Sequence, residues 1–409
     1  MVPEGWEIKA LKDILSGSIR NGFSPIASDK ETGFWVLGLG SLGDEGINVT
    51  EIKPVEPTDR VLQTKLSHGD FLVSRSNTPD KVGRSIYFRG EIENCSYPDL
   101  MMKFRIDESK AYPLFIEQKL KSSDVRAFLK NCAAGSSATM VKINKGILEK
   151  TPLLLPNIKE QKKIAQILSA WDKAITTTEQ LLTNSQQQKK ALMQQLLNGH
   201  TRLPGFSDRW MGGVLGDIAT IDSGFAFKSN TFINTDNGIP VIRMNNLKNG
   251  RLDISDSVKI SPEITKGLEK FSLLENDFLF GMSGSLNNYA WVTAKDLPCY
   301  LNQRIGRITA KNNHDQTFLT YLYLSDKVQK IILDKAEGAA QLNISINEIR
   351  ETPINYPAPK EQKKIAEILL SADNYITKLQ QKLHYLKQEK KALMQQLLTG
   401  KRRVNVEAA

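Results

Sequence analysis

Glu160–Gly199 reads EQKKIAQILSAWDKAITTTEQLLTNSQQQKKALMQQLLNG, and Glu361–Gly400 reads EQKKIAEILLSADNYITKLQQKLHYLKQEKKALMQQLLTG. The offset is 201 residues without a gap, and 24 of the 40 positions are identical. A chain that repeats at this period consists of two similar units. Both copies lack internal Gly and Pro before the final Gly, and strong helix formers dominate them. Ile164, Leu168, Trp171, Ile175, Thr178, Leu182, Ser185, Lys189, Leu192 and Leu196 recur at alternating steps of four and three. Ile365, Leu369, Ala372, Ile376, Leu379, Leu383, Leu386, Lys390, Leu393 and Leu397 repeat those steps. This is a heptad seam. Gly199 and Gly400 are candidate C-caps. Forty residues of helix make a rod of roughly 60 Å.

The divisions that follow are a first domain over 1–155, a helix over 156–200, a second domain over 201–357, a helix over 358–400 and a tail over 401–409. The tail is basic and then small, and is expected to fray. The expected class is α+β: two mixed α/β domains separated by two long helices. The helices pack as an antiparallel coiled coil within a pseudo-twofold internal repeat. A chain of 409 residues is long enough to bury two substantial cores.

The net charge of +10, from 55 basic and 45 acidic residues, is compatible with a polyanionic partner without proving one. Cys95, Cys132 and Cys299 form no spaced metal motif, and so sparse a count suggests a reducing, cytoplasmic setting. No run approaches the length of an apolar membrane span.

The two halves match in order. Trp6 and Trp210 precede Asp13 and Asp217 by the same interval, each plugging the edge of a core. Short strands are expected at 35–39 and 240–244. The segments 66–76 and 274–284 each carry a polar turn into an apolar strand and a small-residue loop. Return strands follow at 82–88 and 289–293, further strands at 103–106 and 306–309, and one helical piece at 112–131 and 316–335.

This ordered double set, with its repeated Glu-Gln-Lys-Lys-Ile-Ala helix starts, resembles the specificity subunit of type I restriction–modification systems. The resemblance spans nearly the whole chain. It rests on Trp6, Leu66–Ser76 and Pro156–Leu168, and on Trp210, Leu274–Gly284 and Pro359–Leu369. It implies that each domain is a target recognition domain reading one half of a split, asymmetric site in double-stranded DNA. It implies helices that fix the gap between the halves and carry two methyltransferase subunits, with two restriction subunits where these are present. It implies no catalytic role and no cofactor on this chain: S-adenosylmethionine, ATP and Mg2+ belong to the partners. The residues agree. They contain no G-x-x-x-x-G-K-[ST] and no H-E-x-x-H, and the run Gly38–Gly43 spells G-x-G-x-x-G without a helical pattern following it. A coiled-coil scaffold that binds proteins is the alternative reading.

Base readout needs Arg, Lys, Asn, Gln, Ser or Thr at groove edges. In the first domain the candidates are Ser74, Arg75, Asn77, Thr78, Lys81 and Arg84, with Arg20 on an early turn. The alternative is a solvated hairpin with Arg75 in a surface ion pair. In the second domain they are Ser283, Ser285, Asn287, Asn288 and Tyr289, a strip of Arg243, Asn245, Asn246, Lys248 and Arg251, and early Lys228. Lys189-Lys190 and Lys390-Lys391 read as solvated helix charges, with spacer phosphate as the alternative.

Overall fold

A computed structural model describes the chain apart from positions 1, 44–45, 138, 236, 337–341 and 406–409. The chain forms two compact units, Met1–Gln180 with Gln381–Ala409, and Leu181–Gln380. The division falls inside both long helices, Ile158–Leu196 and Pro359–Leu397. Each unit therefore holds one domain, the first part of the helix that follows it, and the last part of the other helix.

In the first unit an antiparallel sheet orders Arg20–Asn21, Met101–Phe104, Phe71–Ser74 and Ser85–Tyr87. A smaller sheet orders Ile52–Pro54, Trp35–Leu37 and Cys95–Ser96. The opening strand Glu7–Ala10 pairs with Pro152–Leu155, the last strand before the helix. That ribbon closes the domain and fixes where the helix leaves it.

The second unit repeats the plan. Its larger sheet orders Ala219–Ser223, Ile305–Ala310, Phe278–Gly281, Tyr289–Trp291, Gly250–Leu252 and Leu247–Lys248. Its smaller one orders Phe232–Ile233, Val258–Ile260, Ile239–Ile242 and Tyr300–Leu301. Met211–Val214 pairs with Pro353–Tyr356 to close the domain. The strands expected from the short apolar runs are present, and most are shorter than expected.

The helical pieces 112–131 and 316–335 are each two helices rather than one. Pro113–Lys121 is followed by Ser123–Cys132, and Gln316–Tyr323 by Asp326–Ala336. A serine breaks each. Ser122 is extended, and its hydroxyl donates to the Lys119 carbonyl and bonds Asp124. The Ser325 hydroxyl donates to the Leu322 carbonyl. A serine that bonds the local backbone competes with the helical ladder and starts a new helix.

Within each unit the helix segments run antiparallel, and the seam lies where the heptads put it. Ile164, Ala165 and Leu168 join Leu397 and Leu398 in the first core. Ile365, Ala366 and Leu369 join Leu196 and Leu197 in the second. Each fully buried Leu or Ile contributes about 1.5–3 kcal/mol by leaving water.

The repeated Glu-Gln-Lys-Lys-Ile-Ala start is explained by this docking. Gln161 donates to the Pro156 carbonyl and accepts from the Tyr112 N–H, both at 2.8 Å. Gln362 donates to the Pro357 carbonyl at 2.8 Å and accepts from the Asp315 N–H at 3.1 Å. Both are buried, so each fastens a helix start to its own domain. The buried Glu361 accepts two bonds from Arg202, at 2.9 and 2.7 Å. The buried Glu160 accepts two from Arg403, at 2.8 and 2.9 Å. Arg202 and Arg403 stand 201 residues apart, like Glu160 and Glu361. The tail is thus corrected: Arg403 is clasped, Val404 packs on the core, and 406–409 lie outside the described residues.

Two of the four helix lysines are corrected too, while Lys190 and Lys391 are exposed as expected. Lys189 pairs with Asp373 at 2.6 Å, and Lys390 with Asp172. The other oxygen of Asp172 accepts from Gln118 Nε2 at 2.8 Å, and that of Asp373 from the Tyr321 hydroxyl at 2.6 Å. One aspartate per unit ties the domain's helix to both long helices. Burial, and then the bond to Asp373, hold the Tyr321 hydroxyl well above the ordinary phenol range.

Gly199 and Gly400 end the helices with φ of +74° and +69°. A side chain at Gly199 would approach the Trp210 ring at 3.1 Å, and one at Gly400 would meet Pro3 at 2.5 Å. Trp6 and Trp210 pack at the edges of the two cores, as expected.

Candidate nucleic-acid interface

The sheet registers align the domains residue by residue. Phe71 faces Phe104, and Phe278 faces Ile308. Leu100 therefore corresponds to Arg304, and Ser76 to Ser283. The Gly38 N–H donates to Ser41 Oγ at 3.0 Å, and the Arg243 N–H to Asn246 Oδ1 at 2.9 Å. Gly38 therefore corresponds to Arg243.

The turn before the central strand is held alike in both domains. Asp70 caps it through the Ser67 N–H and binds Lys103 and Arg105, at 3.2 and 2.6 Å. Asp277 caps through the Leu274 N–H and binds Arg307 at 3.2 Å. These carboxylates are structural, and the loops after the strands are left to vary.

In the second unit the loops bring together candidates that lie far apart in sequence. Arg243, Asn245, Ser283, Ser285 and Asn288 line one cleft of about 500 Å³, with Met244 and Gly284. Asn302 and Arg304 complete it. These two were missed in the sequence, although the polar run Asn302-Gln303-Arg304 directly precedes the strand Ile305–Ala310. Arg243 is half-buried, and its Nε is buried without a hydrogen-bond partner among the described residues.

The other second-domain candidates lie elsewhere. Asn246 is buried, with its amide donating to the Asp253 carbonyl at 2.8 Å, so it shapes a turn. Tyr289 is a core-edge aromatic against Phe278, and burial raises its hydroxyl pKa. Asn287, Lys228 and Lys248 are exposed, and Lys248 faces Arg251 across two short strands.

In the first unit the candidates divide. Ser74 and Asn77 are buried and bond each other at 3.3 Å, which takes them away from any groove. Arg75 is half-buried and donates to the Asp99 carbonyl rather than to a carboxylate. Thr78 and Lys81 are exposed on the loop. Arg84 enters a cleft of about 420 Å³ with Lys121, Arg126, Lys387, Lys390 and Lys391. Arg20 lines a smaller recess with Asp70, Lys103 and Arg105. Among the described residues no cluster of His, Cys, Asp and Glu could hold a metal ion. Among the same residues no helix is long and apolar enough to cross a membrane.

The chain is similar to known proteins in sequence and fold. The family model for the type I restriction modification DNA specificity domain matches twice, at residues 3–184 and 207–388. The specificity subunit of the type I restriction enzyme MjaVIII of Methanocaldococcus jannaschii is 29% identical over 306 residues, 71% of this chain and 70% of the relative. The EcoBI specificity subunit of Escherichia coli is 28% identical over 214 residues, 51% of this chain and 42% of the relative. The crystal structure of a type I restriction–modification S subunit from M. genitalium superposes with a TM-score of 0.60. It covers 99% of this chain and 97% of that one at 15% identity, which shows a common fold. With two matched copies of the domain, each running into one copy of the repeated helix, the chain belongs to the type I restriction–modification DNA specificity family.

Proposed function

We propose that the chain is the DNA sequence-recognition subunit of a type I restriction–modification complex, each domain reading one half of a bipartite site. One observation carries this reading. Two copies of the specificity domain share a residue-by-residue frame, yet Gly38 and Leu100 of the first stand where Arg243 and Arg304 line the cleft of the second. A protein that reads two different half-sites needs this combination, because the scaffold is common and the base contacts are not. The chain recognises, and catalysis falls to its partners. Two methyltransferase subunits on the repeated helices would supply S-adenosylmethionine chemistry. Restriction subunits would supply ATP- and Mg2+-dependent cleavage, and the whole would act on DNA in the cytoplasm. Thr78, Lys81, Arg84, Arg243, Asn245, Ser283, Ser285 and Asn288 are the proposed DNA contacts retained from the sequence.

The test is a genome-wide adenine methylation map of the native cell with and without this gene. Loss of one split motif on deletion supports the reading, and an unchanged map refutes it in a cell expressing the modification subunit. A pure protein scaffold would leave methylation intact.

In this reading the helices set the gap. Adding four residues, about one turn, to the first long helix is expected to change or abolish the tolerated gap and leave both half-sites as they were. Selection of bound sequences from a randomised pool measures it. An unchanged gap with full affinity would refute the ruler role.

A further inference from the structure

We infer that Arg243 and Arg304 form a guanine-reading pair in the second domain, one that the first domain lacks. The inference rests on the recognition role proposed above and names its chemistry in one half.

Both arginines line the same cleft. Neither guanidinium makes a hydrogen bond or ion pair with any described residue, and the Arg243 Nε is buried in that state. Arg209 and Arg251 also make no hydrogen bond or ion pair among the described residues, but both are exposed and neither lines the cleft, and the other arginines of the unit are bound. Arg202 is clasped by Glu361, Arg307 by Asp277, and Arg350 by the Ile221 carbonyl. No carboxylate is among the residues lining the cleft. Two cations on one concave surface without a counter-charge repel each other, and a desolvated donor without a partner costs free energy. An acceptor-rich ligand relieves both.

The remaining lining indicates which ligand. Asn245 and Asn288 each present a donor and an acceptor, Asn302 adds a donor beside an oxygen that accepts from the Arg304 N–H at 3.4 Å, and Ser283 adds a hydroxyl. A phosphate offers acceptors only, so the amide acceptors would be left unused. A guanine edge offers N7 and O6 to a guanidinium fork, and its paired cytosine offers an N4 donor to an amide oxygen. The mixed set therefore fits a G·C pair in the major groove better than the backbone. In the first domain the positions matching Arg243 and Arg304 are Gly38 and Leu100, which can make no such contact. The guanine contact from these positions thus belongs to one half-site.

The experiment maps adenine methylation genome-wide in cells carrying the cognate modification subunit with the wild-type chain, R304A, R304K or R243Q. The wild type is expected to give a split motif with a G·C pair in one half. In R304A that position relaxes, with discrimination falling on the order of tenfold to a hundredfold. The other half and the gap do not change. R304K keeps the charge but loses the fork, and relaxes the same position. R243Q relaxes the same position or its neighbour in that half.

A uniform loss of methylation with no relaxed position marks a phosphate contact and overturns the inference. So does relaxation at an A·T position or in both halves. If the wild type gives no split motif, the recognition role itself fails, which is a different result. Arg304 is exposed, so R304A is expected to fold. Should it not accumulate, R304K, of similar length, carries the same test.

Discussion

Gly306→Ala lowers the stability of the second unit by about 3 kcal/mol, the upper range for forcing atoms into a packed core. Gly306 lies opposite Phe280 across the strands Ile305–Ala310 and Phe278–Gly281. A Cβ there would sit 1.9 Å from Cζ of the Phe280 ring. The ring cannot step aside, since it is fully buried and packs on Tyr323 with centroids 5.1 Å apart. The matching pair in the first unit is Val73 opposite Met102. One half thus joins a large ring to no side chain, the other a small side chain to a long one, and the filled volume is similar. Phe280→Val alone opens a cavity and is expected to cost about 2 kcal/mol. Combined with Gly306→Ala it recovers most of the loss, because each change fills or vacates the other's space. Urea unfolding of the full chain, followed by circular dichroism, measures the cycle. Additive effects, or a neutral Gly306→Ala, would refute the account.

Lys119→Ala is expected to cost the first unit about 3–5 kcal/mol. The side chain is wholly buried, and its ammonium donates to the Leu398 carbonyl at 2.9 Å and to Asp124 at 2.7 Å. Truncation removes three buried carbons and the ammonium, and leaves the carbonyl at the end of the second long helix without that donor. Lys119→Leu restores most of the volume and is expected to cost about half as much, the residue being the unpaired carbonyl. The second unit already uses this solution, with Leu322 and Lys327 at the positions of Lys119 and Asp124.

A pH dependence accompanies this. Burial alone would raise the Asp124 pKa, but the bonds from Lys119 and Ser122 outweigh it and hold the carboxyl below its ordinary value. A depressed carboxyl contributes stability above its unfolded pKa of about 3.9. That contribution is lost as the pH falls through the lower folded value. Lys119→Leu removes part of this acid-labile contribution, so the variant and wild-type stabilities converge below about pH 4. Thermal unfolding between pH 3 and pH 7 (roughly the window that brackets the carboxylate range) tests the convergence, and parallel curves would refute it.

Much of the architecture was legible because the chain supplies its own comparison. The 201-residue offset, the heptads and the capping glycines established two domains and two long helices, since helical burial has a period that the sequence shows directly. The strands after the turns at Asp70 and Asp277 were legible as short apolar runs fed by a polar turn, and they are buried throughout. The serine breaks after Lys121 and near Leu324 were less so, because a cap and a mid-helix serine look alike until the backbone turns.

Tertiary structure decided the rest. A side chain's role depends on which neighbours fold onto it, and those neighbours are distant in sequence. Lys189 and Lys390 looked solvated and are ion-paired to aspartates 184 and 218 positions away (Asp373 minus Lys189, and Lys390 minus Asp172). Arg403 looked like a fraying tail and is the counterpart of Arg202. Ser74, Asn77 and Asn246 looked like readers and shape turns, while Arg304 was overlooked until the cleft placed it beside Arg243. The sequence by itself determined the repeat, the helices and the family, because these rest on local periodicity and order. Only the tertiary structure decided which polar side chains are spent on the scaffold and which remain unpaired, because that depends on hydrogen bonds closed across the fold.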